Sequence, residues 1–144
     1  MRFQRNFASC GTAALANALE ALGIRRTEDE LAPLCDSNVE GTSPKGILKA
    51  IKAISTTELP LRGDSLKTSE PLAWVLVQWY LVNEGRPMIL CVDEDDHWVA
   101  VVGSLGDRVV VIDGAETDLV LFYDKDGLIE RWRASDGRFY AVIL

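Results

Sequence analysis

The chain holds a single histidine, His97, in 144 residues. It holds three cysteines, Cys10, Cys35 and Cys91, with no Cys-x-x-Cys pair among them. That spacing lacks the ligand pattern of a structural zinc site, so no metal is expected. An odd set of thiols in unlike contexts also argues against a disulfide framework and suits a reducing compartment. Basic runs are missing too. The net charge is -7, and the only adjacent basic pair is Arg25-Arg26, which excludes the electrostatic footprint of a nucleic-acid binder. No apolar run approaches the ~20 residues needed to cross a bilayer. Residues 71–82 come nearest, but they are too few and Gln78 and Trp79 interrupt them. The N-terminus has no apolar signal core, and a cytoplasmic location is expected. Repeats and low-complexity tracts are absent, and the five prolines and eleven glycines are scattered. With no linker to divide it, the chain reads as one domain over residues 1–144. What is abundant is core material: 48% of the residues are hydrophobic.

Residues 9–22, rich in alanine and leucine, predict a helix with a wide apolar face, stopped by Gly23. Thr27 and Glu30 form a capping box for a short helix over 28–34. Ser43 caps the next helix with Pro44 in its first turn, and Ile47, Leu48, Ile51 and Ile54 mark its buried stripe. Residues 56–61 predict a short extended segment, and residues 72–83 a longer helix ended by Gly85. The pattern then turns to β: strands over 88–92, 97–102 and 108–112, a turn over 103–107, a strand over 117–123, a turn at Asp126-Gly127 and a last strand over 139–144. Residues 128–132 fit neither period clearly. Helices first and strands joined by short Gly and Asp turns after them predict an α+β fold with an antiparallel sheet.

Cys10 opens the strongest helix, where unsatisfied N–H groups and the helix dipole favour a thiolate. Its small neighbours Ala8, Ser9, Gly11 and Thr12 are expected to leave the sulfur reachable. On position alone it serves equally well as a buried space filler. His97 opens a β-run beside the acidic stretch Asp93 to Asp96, and one histidine with one well-placed cysteine is what a cysteine nucleophile requires. Asp113 ends the next strand, where a hairpin with its turn near Leu105 brings it opposite His97 to fix the ring. As part of Asp-Gly it also fits an ordinary turn. Gln4 is placed to join the Cys10 backbone N–H in holding an oxyanion, although alone it reads equally as an exposed polar residue near a terminus. The acidic stretch, if it rims the cleft, favours basic substrates and the His97 imidazolium. Trp74 and Trp79 are expected to pack. Trp98 is expected to point away from His97 and pack beneath the sheet.

The segment from Gln4 through Cys10-Gly11-Thr12-Ala13-Ala14-Leu15 resembles the start of papain-like cysteine peptidases, most closely the C39 group that processes bacteriocin leaders. Gly41-Thr42-Ser43 with Gly46-Ile47, Gly85 to Leu90, His97 to Gly103 and Val110 to Asp113 are similar to later segments of that group, in its order. Gly114 departs from the proline common after the aspartate there. The resemblance implies a papain-like fold with N-terminal helices packed on a C-terminal antiparallel sheet. It implies catalysis by Cys10, His97, Asp113 and Gln4, substrate contacts at Gly41, Thr42 and Ser43, and no cofactor. A hydrolase acting on a peptide or amide is expected. An acyl- or aminoacyl-transferase or cyclase on the same triad, and a non-catalytic peptide-binding module, remain alternatives. Oligomeric state and any partner protein stay open.

Overall fold

The computed structural model describes residues 9–38, 41–94, 96–114 and 119–144. Along them run α1 (Cys10–Ala21), α2 (Glu28–Leu34), α3 (Pro44–Ile54), β1 (Asp64–Thr68), α4 (Glu70–Gln78) with a π-helical last turn over Trp79–Asn83, β2 (Met88–Val92), β3 (His97–Leu105), β4 (Arg108–Ile112), β5 (Val120–Tyr123), α5 (Lys125–Trp132) and β6 (Phe139–Ile143). The cap chemistry acts as expected for two early helices: the Glu30 N–H donates to Thr27 Oγ1 at 3.1 Å and the Gly46 N–H to Ser43 Oγ at 3.1 Å. Every residue of α1 from Cys10 to Leu19 is buried. A helix apolar on all sides belongs in the middle of a molecule, and α1 lies against β3 as the central helix.

The described strands form one antiparallel sheet in the order β1-β6-β2-β3-β4-β5. Helices cover both of its faces. On one, α1, α2 and α3 enclose a core with Leu15, Leu19, Ile47, Ile51, Ile89, Trp98 and Ala100. On the other, α4 and α5 pack Val77, Leu128 and Trp132 against Leu90, Val99, Val101 and Phe139. The central strand β2 is buried along its whole length, the pattern of a strand covered on both sides.

Four sequence expectations change here. Helices and strands interleave, because α4 and α5 are inserted among the strands. The first strand is β1, not residues 56–61. It escaped notice because Asp-Ser-Leu-Lys-Thr is polar, as an edge strand is free to be. Residues 128–132 are helical: Asp124 Oδ1 accepts the Gly127 N–H at 2.9 Å, so the Asp-Gly step starts a helix rather than a turn. Residues 103–105 belong to β3, and the hairpin turn is Gly106-Asp107, with Leu105 paired to Arg108. Gly106 has φ +64°, as the first central residue of a type II′ turn demands.

The β3–β4 register shifts between Val101 and Gly103, where Ser104 pairs with Val109 but Ala100 with Ile112. This bulge decides a face. Val111 shares the α4–α5 side with Val101, and Ile112 the α1 side with Ala100. A ladder without the extra residue would set Ile112 opposite Val101 and turn the residue after it over.

Candidate active site

Cys10 is the first residue of α1 and is only 6% exposed, so the thiol is more enclosed than its small neighbours suggested. The same first turn of α1 is closely covered at Gly11. A Cβ there would lie 2.6 Å from Thr42 Cβ and 3.3 Å from Trp98 Cδ1. Glycine lets the loop after α2 and the β3 tryptophan close directly over the first turn of α1.

His97 is the first residue of β3, at the end of the sheet, where it reaches both sides. Its Nε2 lies 2.6 Å from Asp113 Oδ1, which leaves Nδ1 for Cys10, a hydrogen-bonding neighbour of the ring. Burial alone would lower the His97 pKa. The hydrogen bonds to Asp113 and Cys10, with the charge of both, outweigh it and raise the value to about 9. The imidazolium is therefore the resting form at neutral pH.

Asp113 follows β4 and is fully buried. Its N–H donates to Leu119 O at 2.9 Å. It is not directly opposite His97 in the register; Ala100 pairs with Ile112, so the side chains meet on a diagonal. Asp113 Oδ2 accepts a second hydrogen bond, from Arg131 Nη2 at 2.6 Å. Arg131 lies in the last turn of α5 and no sequence signal named it. Recognising it requires α5 to be a helix and to pack against β2 and β5.

Within the acidic stretch, Asp93 takes the Arg131 Nε and Nη2 donors, each at 3.0 Å, and the groups that raise the His97 pKa include Asp113 and Cys10. Asp95 and Gln4 lie outside the described residues.

Of Gly41, Thr42 and Ser43, Thr42 lies against the first turn of α1, at Gly11. Its carbonyl accepts the Trp98 Nε1–H at 3.0 Å and its hydroxyl lies 2.6 Å from Ser37 Oγ. Ser43 Oγ is occupied as the α3 cap, and Gly41 pairs with Asn38 in the loop. Trp98 packs beneath the sheet on the α1 side, 8% exposed. There it also flanks Gly11, and with Thr42, Pro44, Cys91 and Tyr140 it lines a cavity of about 330 Å³. A larger cavity of about 730 Å³ contains Arg131 and Asp93 but neither Cys10 nor His97. Trp79, expected to pack, is half exposed. None of the three cysteines is in a disulfide. Among the described residues no group of three His, Cys, Asp or Glu side chains is arranged to hold a metal, and no helix is long and apolar enough to cross a membrane.

A thiol at a helix N-terminus, an imidazolium beside it and a buried carboxylate behind the imidazolium are the parts of a nucleophilic acyl-transfer site. The comparisons agree. A model of the Peptidase C39 family matches residues 1–134. The mesentericin transport/processing ATP-binding protein MesD of Leuconostoc mesenteroides is 29% identical over 109 residues, which cover 75% of this chain and 14% of that protein. The chain thus spans about a seventh of that relative's length. The peptidase domain of Streptococcus ComA, a bifunctional ABC transporter of a quorum-sensing pathway, superposes with a TM-score of 0.73 at 21% identity, over 98% of this chain and 93% of that one. A double-glycine-motif protease from an AMS/PCAT transporter, solved with its leader peptide, gives a TM-score of 0.66 at 16% identity, over 98% and 87%. These likenesses bear out the α+β papain-like architecture.

Proposed function

Because the chain belongs to the peptidase C39 family, a family of cysteine peptidases, we propose that Cys10 is its nucleophile, His97 its general acid–base and Asp113 the carboxylate that orients the ring. The observation that carries this is the convergence of the three side chains at the junction of α1, β3 and β4. In the first step the Cys10 thiolate attacks the scissile carbonyl. The backbone N–H of Cys10 and the side chain of Gln4 receive the oxyanion. The His97 imidazolium protonates the departing amine, and water then releases the acyl group from sulfur.

The proposed substrate is a leader peptide cleaved after two glycines, with release on the cytoplasmic side for an exporter. Two things support it: the relatives' names, and the tightness around Cys10. With Thr42 and Trp98 against Gly11 and Cys10 6% exposed, backbone without side chains fits best beside the sulfur. The cavity formed by Thr42, Pro44, Cys91, Trp98 and Tyr140 suits an apolar side chain farther along the peptide.

The test is incubation with synthetic peptides carrying Gly-Gly or Ala-Ala before the scissile bond, with mass analysis of the products. Cleavage after Gly-Gly, lost in Cys10→Ala and slowed about a hundredfold in Gln4→Ala, is expected. An intact Gly-Gly peptide with a reactive Cys10 would overturn the substrate. Conjugates with an added amine in place of hydrolysis products would establish a transferase instead.

A further inference from the structure

We propose that Arg131 is a positioning residue for the reaction: together with Asp93 it clamps Asp113 in its ionised, His97-facing orientation. The inference rests on the triad reading above and deepens it.

The clamp is built from three elements. On one side Arg131 Nε and Nη2 hold the two carboxylate oxygens of Asp93, both at 3.0 Å, the planar two-point grip that only a guanidinium offers. The Asp93 N–H returns a hydrogen bond to the Arg131 carbonyl at 3.1 Å, so the end of α5 and the turn after β2 are fastened through both backbone and side chain. Arg131 Nη1 also donates to Tyr123 Oη on β5 at 3.1 Å. Held from that side, Nη2 reaches Asp113 Oδ2 at 2.6 Å, and the other oxygen of the same carboxylate faces His97.

Two observations say the arrangement is more than packing. Asp93 and Glu94 are left-handed, at φ +55° and +58°. Backbone of that kind is costly for residues other than glycine and is retained where the surroundings impose it. Glu94 stands three residues before the histidine. Second, Asp113 is wholly buried, and a buried carboxylate without a partner neutralises itself. A permanent cation keeps it charged at the pH values where His97 must stay protonated. Among the described residues, charged and titratable groups that face Asp113 include His97 from β3, with Cys10 of α1 beyond it, and Arg131 from α5. Arg131 in turn faces Asp93 and Tyr123, and Glu94, Glu130 and Arg133 share its cavity.

The experiment reads the alkylation of Cys10 by iodoacetamide across pH, mapped by mass spectrometry, with circular dichroism at each pH. Removing the cation makes protonation of Asp113 easier, weakens its support of the imidazolium and delays formation of the reactive thiolate. The midpoint of the acid limb should therefore rise in Arg131→Met by about one pH unit or more. Arg131→Lys should fall between that variant and wild type, because it restores charge without the fork. Arg133→Met removes a neighbouring charge that pairs with Glu70 and should leave the midpoint in place. A folded Arg131→Met with the wild-type midpoint, or an equal rise in Arg133→Met, would overturn the inference. Should Arg131→Met not fold, Asp93→Asn decides: it removes the grip at a half-exposed position, and an unmoved midpoint there would be equally fatal. If the wild-type protein lacks low-pH labelling that depends on His97, the triad reading itself fails, a result visible before any Arg131 variant is made.

Discussion

His97 Nε2 and Asp113 Oδ1 stand 2.6 Å apart, and the aspartate has no exposed surface. A hydrogen bond so sheltered from water fixes both the direction of the ring and the nitrogen left for Cys10. Asp113→Asn keeps the volume but loses the charge that supports the imidazolium. Its kcat/KM on a cleaved peptide should fall about a hundredfold or more, with the fold preserved by circular dichroism. Activity within twofold of wild type would remove Asp113 from the mechanism.

The pH profile has a definite sign. His97 is held protonated to about 9, above its ordinary value of 6.5, so the acid that protonates the leaving amine survives through neutrality. The alkaline limb of kcat/KM should fall near pH 9. Stability should follow the same group. A folded-state pKa above the unfolded one contributes fully below about 6.5 and is lost as pH climbs through about 9. Denaturant titrations on either side of that window should show the loss, and His97→Ala should flatten it. An alkaline limb near 6.5 would mean that Asp113 and Cys10 do not support the imidazolium.

What the sequence disclosed follows from where its signals are local. Thr27, Ser43 and Pro44 announce their helices because capping is settled within four residues. Cys10, His97 and Asp113 were visible because each chemical type sits at an element boundary. Arg131 was not, since its partners Asp93 and Asp113 lie 38 and 18 positions away on elements whose packing no periodicity encodes. The bulge between Val101 and Gly103 was hidden for a like reason: an extra residue in β3 has meaning only against β4. Trp98 packs in the α1-side core as its alternation predicts, but its nearness to Gly11 is not legible, because no sequence signal says that α1 covers that face. Polar β1 and half-exposed Trp79 show the same limit, since burial belongs to the assembled sheet and not to the residue.

Gly11 tests the closeness of the cleft walls. In an open helix Gly→Ala stabilises by about 1 kcal/mol. Here the new methyl would meet Thr42 Cβ at 2.6 Å, and Thr42 is tethered by Trp98 Nε1 and Ser37 Oγ. Overpacking of this kind costs about 1–3 kcal/mol, so Gly11→Ala should melt lower than wild type. The double variant with Thr42→Gly should recover much of the loss. A Gly11→Ala protein as stable as wild type would show that the loop yields and that the access beside Cys10 is wider than the structure has it.

Selective labelling should separate the three thiols. Burial, followed by the neighbouring charge of Asp36, raises the Cys35 pKa to about 11, and thiolate, not thiol, is the form that alkylates. Cys91 lines the Trp98 cavity and is 9% exposed against 6% for Cys10, so what sets Cys10 apart is the His97 imidazolium beside it and not its exposure. Brief exposure to iodoacetamide at pH 7 should therefore modify Cys10 alone, and Cys10→Ala should leave the folded protein nearly unlabelled. Comparable labelling of Cys35 would show that α2 opens readily and that its burial does not hold in solution. With Cys35 silent, the rate of total alkylation reports Cys10 directly, and the state of the His97–Asp113 pair can be followed without any knowledge of the peptide it serves.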